Sequence, residues 1–225
     1  MIDATYQPLE RRPLASRDLN VVRRVSAWLI ARGVPANAVS LSSIAFAATA
    51  SLCLARTSGM NTAGVRVLFL LAALFIQLRL LANLLDGMIA VGSGHASPAG
   101  ELYNEVPDRV ADFLILTGAG FAAGATPSLG YNAALVAVFV AYLRALGGST
   151  GVRGLFIGPM AKPQRMATMT AACVYCGCAP AAWPGAPGHG SIGAVGVALS
   201  LVIAGGVVTA WRRLRRMAAA LRVTP

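Results

Sequence analysis

The chain has 225 residues, of which 56% are hydrophobic and only 12% charged, with a formal net charge of +11. A soluble domain carries about a quarter charged residues, so this composition argues against an ordinary water-soluble globule. Long apolar runs separate the basic clusters, which argues against a nucleic-acid face and for arginines that flank membrane helices at an anionic lipid surface.

The first fifteen residues are polar and lead into a mixed helix, so no cleavable signal peptide is predicted. Residues 1–15 read as a cytosolic arm and 16–33 as an amphipathic interfacial helix, with Ser16 as N-cap and Gly33 as the stop. Val21, Val22, Val25, Trp28 and Leu29 form its apolar face, and Asn20, Arg23, Arg24 and Arg32 occupy the rest. Six membrane segments follow at about 36–57, 62–91, 102–124, 128–147, 164–184 and 190–211, each near the length a bilayer requires. The expected fold is therefore an all-α membrane protein, a single domain over 1–225. It has six transmembrane helices in 36–211, the N-terminal interfacial helix, and a basic cytosolic tail at 212–225.

Arginine placement predicts the orientation. Arg11, Arg12, Arg17, Arg23, Arg24 and Arg32 share one side with Arg144, Arg153, Lys162, Arg165 and the tail arginines. The opposite loops hold only Arg56 and Arg66. By the positive-inside rule both termini are cytosolic. Cys173, Cys176 and Cys178 have a metal-like spacing but no fourth ligand nearby, so they and Cys53 read as membrane packing. Gly193, Gly196, Gly205 and Gly206 read as close helix packing.

Five of the eight acidic residues fall between 86 and 112: Asp86, Glu101, Glu105, Asp108 and Asp112. The last four recur at steps of four, three and four, which puts them on one helical stripe with Asn104. Asn83 and Asp86 share a face of the preceding helix. Carboxylates at membrane-helix ends are costly unless paired, and they mark functional sites. Oxygen ligands of this kind select a hard divalent cation. The alternative is an ion-pair network, including Arg79 and Arg109, that ties the two helices together.

The motif here is Asn83-x2-Asp86-Gly87-x2-Ala90-Val91-x8-Gly100-x3-Asn104-x3-Asp108. It resembles that of the CDP-alcohol phosphatidyltransferases, D-x2-D-G-x2-A-R-x8-9-G-x3-D-x3-D, with every spacing kept. Arg11-Arg12-Pro13-Leu14 and Val34-Pro35-Ala36-Asn37 are also similar to that family. Three positions depart: Asn83 and Asn104 stand in place of aspartates, and Val91 in place of the arginine. Glu101 and Glu105 are candidates to restore lost charge, and Arg79 to replace the arginine.

The resemblance implies phospholipid synthesis at the cytosolic face of a bacterial inner membrane. A phosphatidyl group passes from a CDP-linked lipid such as CDP-diacylglycerol to a small alcohol acceptor, with release of CMP. It implies Mg2+ (or Mn2+) held by Asn83, Asp86, Asn104 and Asp108 with help from Glu101 or Glu105, and Asp108 as general base. Arg79, Asn83, Asp86, Gly87, Ala90 and Gly100 would surround the nucleotide diphosphate, while Arg144, Lys162 and Arg165 would hold an acceptor phosphate, the alternative for Lys162 and Arg165 being an ordinary positive-inside anchor. A homodimer and membrane lipids are the implied partners, with no nucleic acid. His95 and His189 are the only histidines; His95 lies between the motif halves and reads as a solvated loop residue, the alternative being a place at the mouth of the site. The two asparagines support an alternative, a degenerate relative that binds CDP-lipid or a headgroup without turnover. A small transporter is the third reading, and no inverted repeat supports it.

Overall fold

The computed structural model describes residues 20–93, 98–152, 154–180, 182–187 and 192–223, without the side chains at 98–101, 104 and 223. The expectations for the 1–15 arm, Ser16, Arg153, His95 and His189 lie outside the described residues, as do those for the side chains of Glu101 and Asn104.

Long apolar runs fold as helices because a helix satisfies every backbone donor and acceptor within its own segment. Seven α-helices, and no strand, form among the described residues. They are α1 (Asn20–Ala31), α2 (Ala36–Ala55), α3 (Thr62–Gly92), α4 (Pro98–Gly120), α5 (Pro127–Ser149), α6 (Lys162–Cys178) and α7 (Ala194–Val223). By length and composition α2, α3, α5 and α7 can each cross a membrane. The other two predicted segments are also helical but differ in kind. Glu101, Glu105, Asp108, Arg109 and Asp112 all lie along α4, and α6 has only 17 residues, a rise of about 25 Å.

Two helix ends depart from the sequence-based boundaries. α6 stops at Cys178 instead of near 184, because Pro180 drives Ala179 into extended backbone (φ −64°, ψ 139°). α7 runs on to Val223 instead of ending near 211, since Met217 and Arg213 continue a buried stripe along it. Arg213 anchors that extension by donating to the carbonyls of Val140 (2.6 Å) and Ile157 (3.2 Å).

α2 packs on α3 and α4, α4 on α5, α5 on α7, α7 on α6, and α6 on α3, which closes a ring of six helices. Its interior holds Phe69, Ile76, Ile115, Leu116, Met166 and Leu199, all fully buried. Small residues let the helices approach closely. A Cβ on Gly130 of α5 would lie 2.7 Å from the Cα of Gly120 on α4, and one on Gly206 of α7 would lie 2.3 Å from Val136.

α1 lies outside the ring against α3. Its predicted apolar face divides in two. Val22 packs on Leu85 and Ile89, joined by Leu29 and Ile30, and Ile30 sits so close to Gly92 that a Cβ there would clash at 2.7 Å. Val21, Val25 and Trp28 remain exposed. The helix thus presents one apolar stripe to the bundle and another to its surroundings.

Candidate active site

The polar residues of α3, α4 and α6 meet at one end of the ring, together with the first turns of α2 and the last turns of α5. Helical spacing puts Asn83, Asp86, Gly87 and Ala90 on one face of α3. Asp86 is buried, and its Oδ2 accepts a 2.6 Å hydrogen bond from Ser40 of α2. Its Oδ1 has no hydrogen-bond partner among the described residues. Beside it, among the described residues, a Cβ on Gly87 would meet nothing within 4 Å. Ala90, a turn further on, is half-buried.

Asp108 comes in from α4, next to Pro107, which has no N–H to give the carbonyl a turn earlier. Arg79 of α3 donates to both the Asp108 carbonyl (3.1 Å) and Asp108 Oδ1 (3.3 Å). Lys162, at the first turn of α6, donates both to Asp108 Oδ2 and to Asn83 Oδ1. One ammonium therefore ties α3, α4 and α6 together at the motif.

One turn deeper, Asp112 accepts from Arg79 at 2.8 Å and from Arg165 of α6 at 2.6 Å. Arg165 also donates to the Met160 carbonyl at 3.1 Å. On the other flank of α4, Glu105 pairs with Arg109 on its own helix and with Arg144 of α5 at 2.6 Å. Arg144 also lies over the Phe156 ring, 5.9 Å from its centre.

The structure thus brings Asn83, Asp86 and Asp108 together as the motif spacing predicts. Gly87 and Ala90 lie on the same face, and Gly100 falls in the first turn of α4. Arg79 is wholly buried between two aspartates, in the role of a helix-tying ion pair. Both Glu105 oxygens are held by arginines. Each of Arg144, Lys162 and Arg165 already has a carboxylate partner, and Arg165 is buried, whereas Arg144 is half-exposed. The sequence reading did not find Ser40 as the partner of Asp86, nor Asp112 as the hub of the network. The serines Ser40, Ser42 and Ser43, clustered in the first turns of an apolar helix, were the available signal for the first.

The described donors do not fit a divalent cation bridging α3 and α4 while Lys162 holds its place. Asn83 Oδ1 and both Asp108 oxygens already accept from cations, and Asp86 Oδ2 accepts from Ser40. Of these described oxygens only Asp86 Oδ1 stays open. No grouping of three or more His, Cys, Asp or Glu side chains suited to a metal occurs among the described residues.

No family profile and no curated protein matches the chain. Solved structures do. The chain is similar to the crystal structure of Mycobacterium tuberculosis phosphatidylinositol phosphate synthase with CDP-DAG bound. The TM-score is 0.71 at 17% identity, over 88% of this chain and 94% of that one. The same synthase in complex with manganese and citrate gives 0.70 at 18% identity, over 88% of each chain. Its apo form gives 0.69 at 17% identity, over 87% of this chain and 95% of that one. At such identities the likeness establishes the fold, and the seven helices of this chain have the fold of that synthase.

Proposed function

We propose that the chain is a multi-pass membrane enzyme that transfers a phosphatidyl group from a CDP-linked lipid, such as CDP-diacylglycerol, to an alcohol acceptor and releases CMP. The observation that carries the reading is the convergence of Asn83 and Asp86 of α3 with Asp108 of α4 beside the backbone at Gly87, which no described side chain covers. The shared fold with a synthase crystallised with CDP-DAG supports it. So does the intact motif spacing.

In this reading all six helices of the ring cross a bacterial inner membrane, with the polar end and both termini cytosolic. The nucleotide approaches the backbone at Gly87, where no described side chain stands in the way, and passes the small Ala90 a turn further on. Lys162 has a flexible stem and its ammonium can swing from Asp108 Oδ2 to the incoming diphosphate. That movement frees Oδ2 as the base. The acceptor oxygen attacks the lipid-side phosphorus, its proton passes to Asp108, the bond to CMP breaks, and CMP leaves with the bonding electrons. Charge developing on the phosphoryl oxygens is met by fixed cations at the same end of the ring. Arg144 is the accessible candidate for an acceptor phosphate.

One observation favours a second reading, in which the CDP-lipid is bound without turnover: both oxygens of the proposed base are paired with cations. Purified protein given CDP-diacylglycerol and a panel of alcohols, with Mg2+, Mn2+ or EDTA, separates the two. Acceptor-dependent CMP release establishes the transferase. Saturable CDP-lipid binding with no release under any condition establishes the binding protein.

A further inference from the structure

We infer that Lys162 replaces a divalent cation as the group that receives the donor's diphosphate, so the chain binds a cytidine diphosphate without metal. The inference deepens the proposed function and rests on it.

Lys162 is the only lysine among 19 basic residues. Every other cation is a planar, delocalised guanidinium, whereas an ammonium is a compact point charge, the side-chain group closest to a metal ion in size and field. It occupies the space between Asn83 of α3 and Asp108 of α4, with an oxygen of each as its partner. Those are two of the positions at which the motif would present metal ligands. Asn83 carries no charge, and an amide carbonyl that suits an ammonium is a weaker ligand for a dication.

The charges close around this arrangement. Among the described side chains Asp108 and Asp112 are paired with Arg79, Lys162 and Arg165, so the three cations offset the charge of these two aspartates and of Asp86 beside them. A dication would also have to displace Lys162. The flexible stem lets the ammonium turn its N–H donors from Asp108 to a phosphate oxygen while one still donates to Asn83. The Lys162 side chain is 20% exposed, whereas Arg79 is sealed at 0% and Arg165 at 2%, so of these three cations Lys162 is the one a ligand can reach.

The test is equilibrium binding of CDP to the full chain in nanodiscs by calorimetry, in EDTA and in millimolar Mn2+, with Mn2+ binding followed separately by electron paramagnetic resonance. The wild-type chain is expected to bind CDP equally in both buffers and to leave the free Mn2+ signal unchanged. Lys162→Met should weaken CDP binding in EDTA by about tenfold. Asn83→Asp combined with Lys162→Met should bind Mn2+ and make CDP binding depend on it. Wild-type CDP binding that disappears in EDTA, or wild-type depletion of the Mn2+ signal, overturns the inference and leaves the proposed function standing. No CDP binding in either buffer overturns the proposed function and the inference together. The wild-type comparison decides the matter even if both variants fail to fold.

Discussion

Arg165 on α6 donates to Oδ2 of Asp112 on α4 at 2.6 Å, with both side chains 2% exposed. Arg79 of α3 takes the other oxygen. Asp112 therefore binds three helices together beneath the candidate site. Removing one member of a buried pair strands its partner's charge and costs about 3–5 kcal/mol. Asp112→Leu should lower the thermal midpoint in detergent sharply, and adding Arg165→Met should recover part of the loss by removing one stranded cation. Equal midpoints for wild type and Asp112→Leu would show that the network contributes nothing to stability.

Ser40 supplies the hydrogen bond to Asp86 Oδ2. Ser40→Ala should cost about 1–3 kcal/mol, because it removes the side-chain donor to a buried carboxylate oxygen. Replacing both partners, Ser40→Ala with Asp86→Leu, should restore stability while abolishing CDP binding, since it removes the carboxylate and its need for a donor together. Denaturation midpoints and CDP calorimetry on the three proteins separate the structural part of Asp86 from its binding part.

Glu105 differs from its neighbours along the stripe. Its side chain is 44% exposed and pairs with Arg144 and Arg109. Glu105→Gln should therefore cost only about 0–1 kcal/mol, and the difference should shrink as salt is added. A loss above this range that is insensitive to salt would place Glu105 in a drier and more constrained setting.

The helices were legible because apolar runs near twenty residues leave the backbone one solution in lipid. The motif was legible because steps of three and four place residues on one face. What each carboxylate meets was not legible. Glu105 and Asp112 lie on nearly the same face of α4 but about 10 Å apart along its axis. At those two heights α4 faces different helices, so Glu105 meets Arg144 of α5 whereas Asp112 meets Arg79 and Arg165 of α3 and α6. No local pattern pairs Lys162 with Asn83, which lies 79 residues away, or Ser40 with Asp86, 46 residues away. Such contacts arise from how the ring closes. The amphipathic face of α1 was visible as a whole, but its division between α3 and the outside depends on the close approach of Ile30 to Gly92.

Gly87 tests the central claim most directly, because it alters space at the site without touching a charge. A Cβ there meets nothing within 4 Å among the described residues, and replacing a mid-helix glycine gains up to about 1 kcal/mol of helix propensity. Gly87→Leu should therefore fold at least as stably as the wild type while filling the space that the proposed function gives to the nucleotide. The measurement is CDP-diacylglycerol binding to wild type and Gly87→Leu in nanodiscs, with thermal midpoints taken on the same samples. Saturable wild-type binding that is lost in Gly87→Leu at an unchanged or higher midpoint is the predicted result. No saturable binding by the wild type, or equal binding by both proteins, would contradict a CDP-lipid site at this end of the ring.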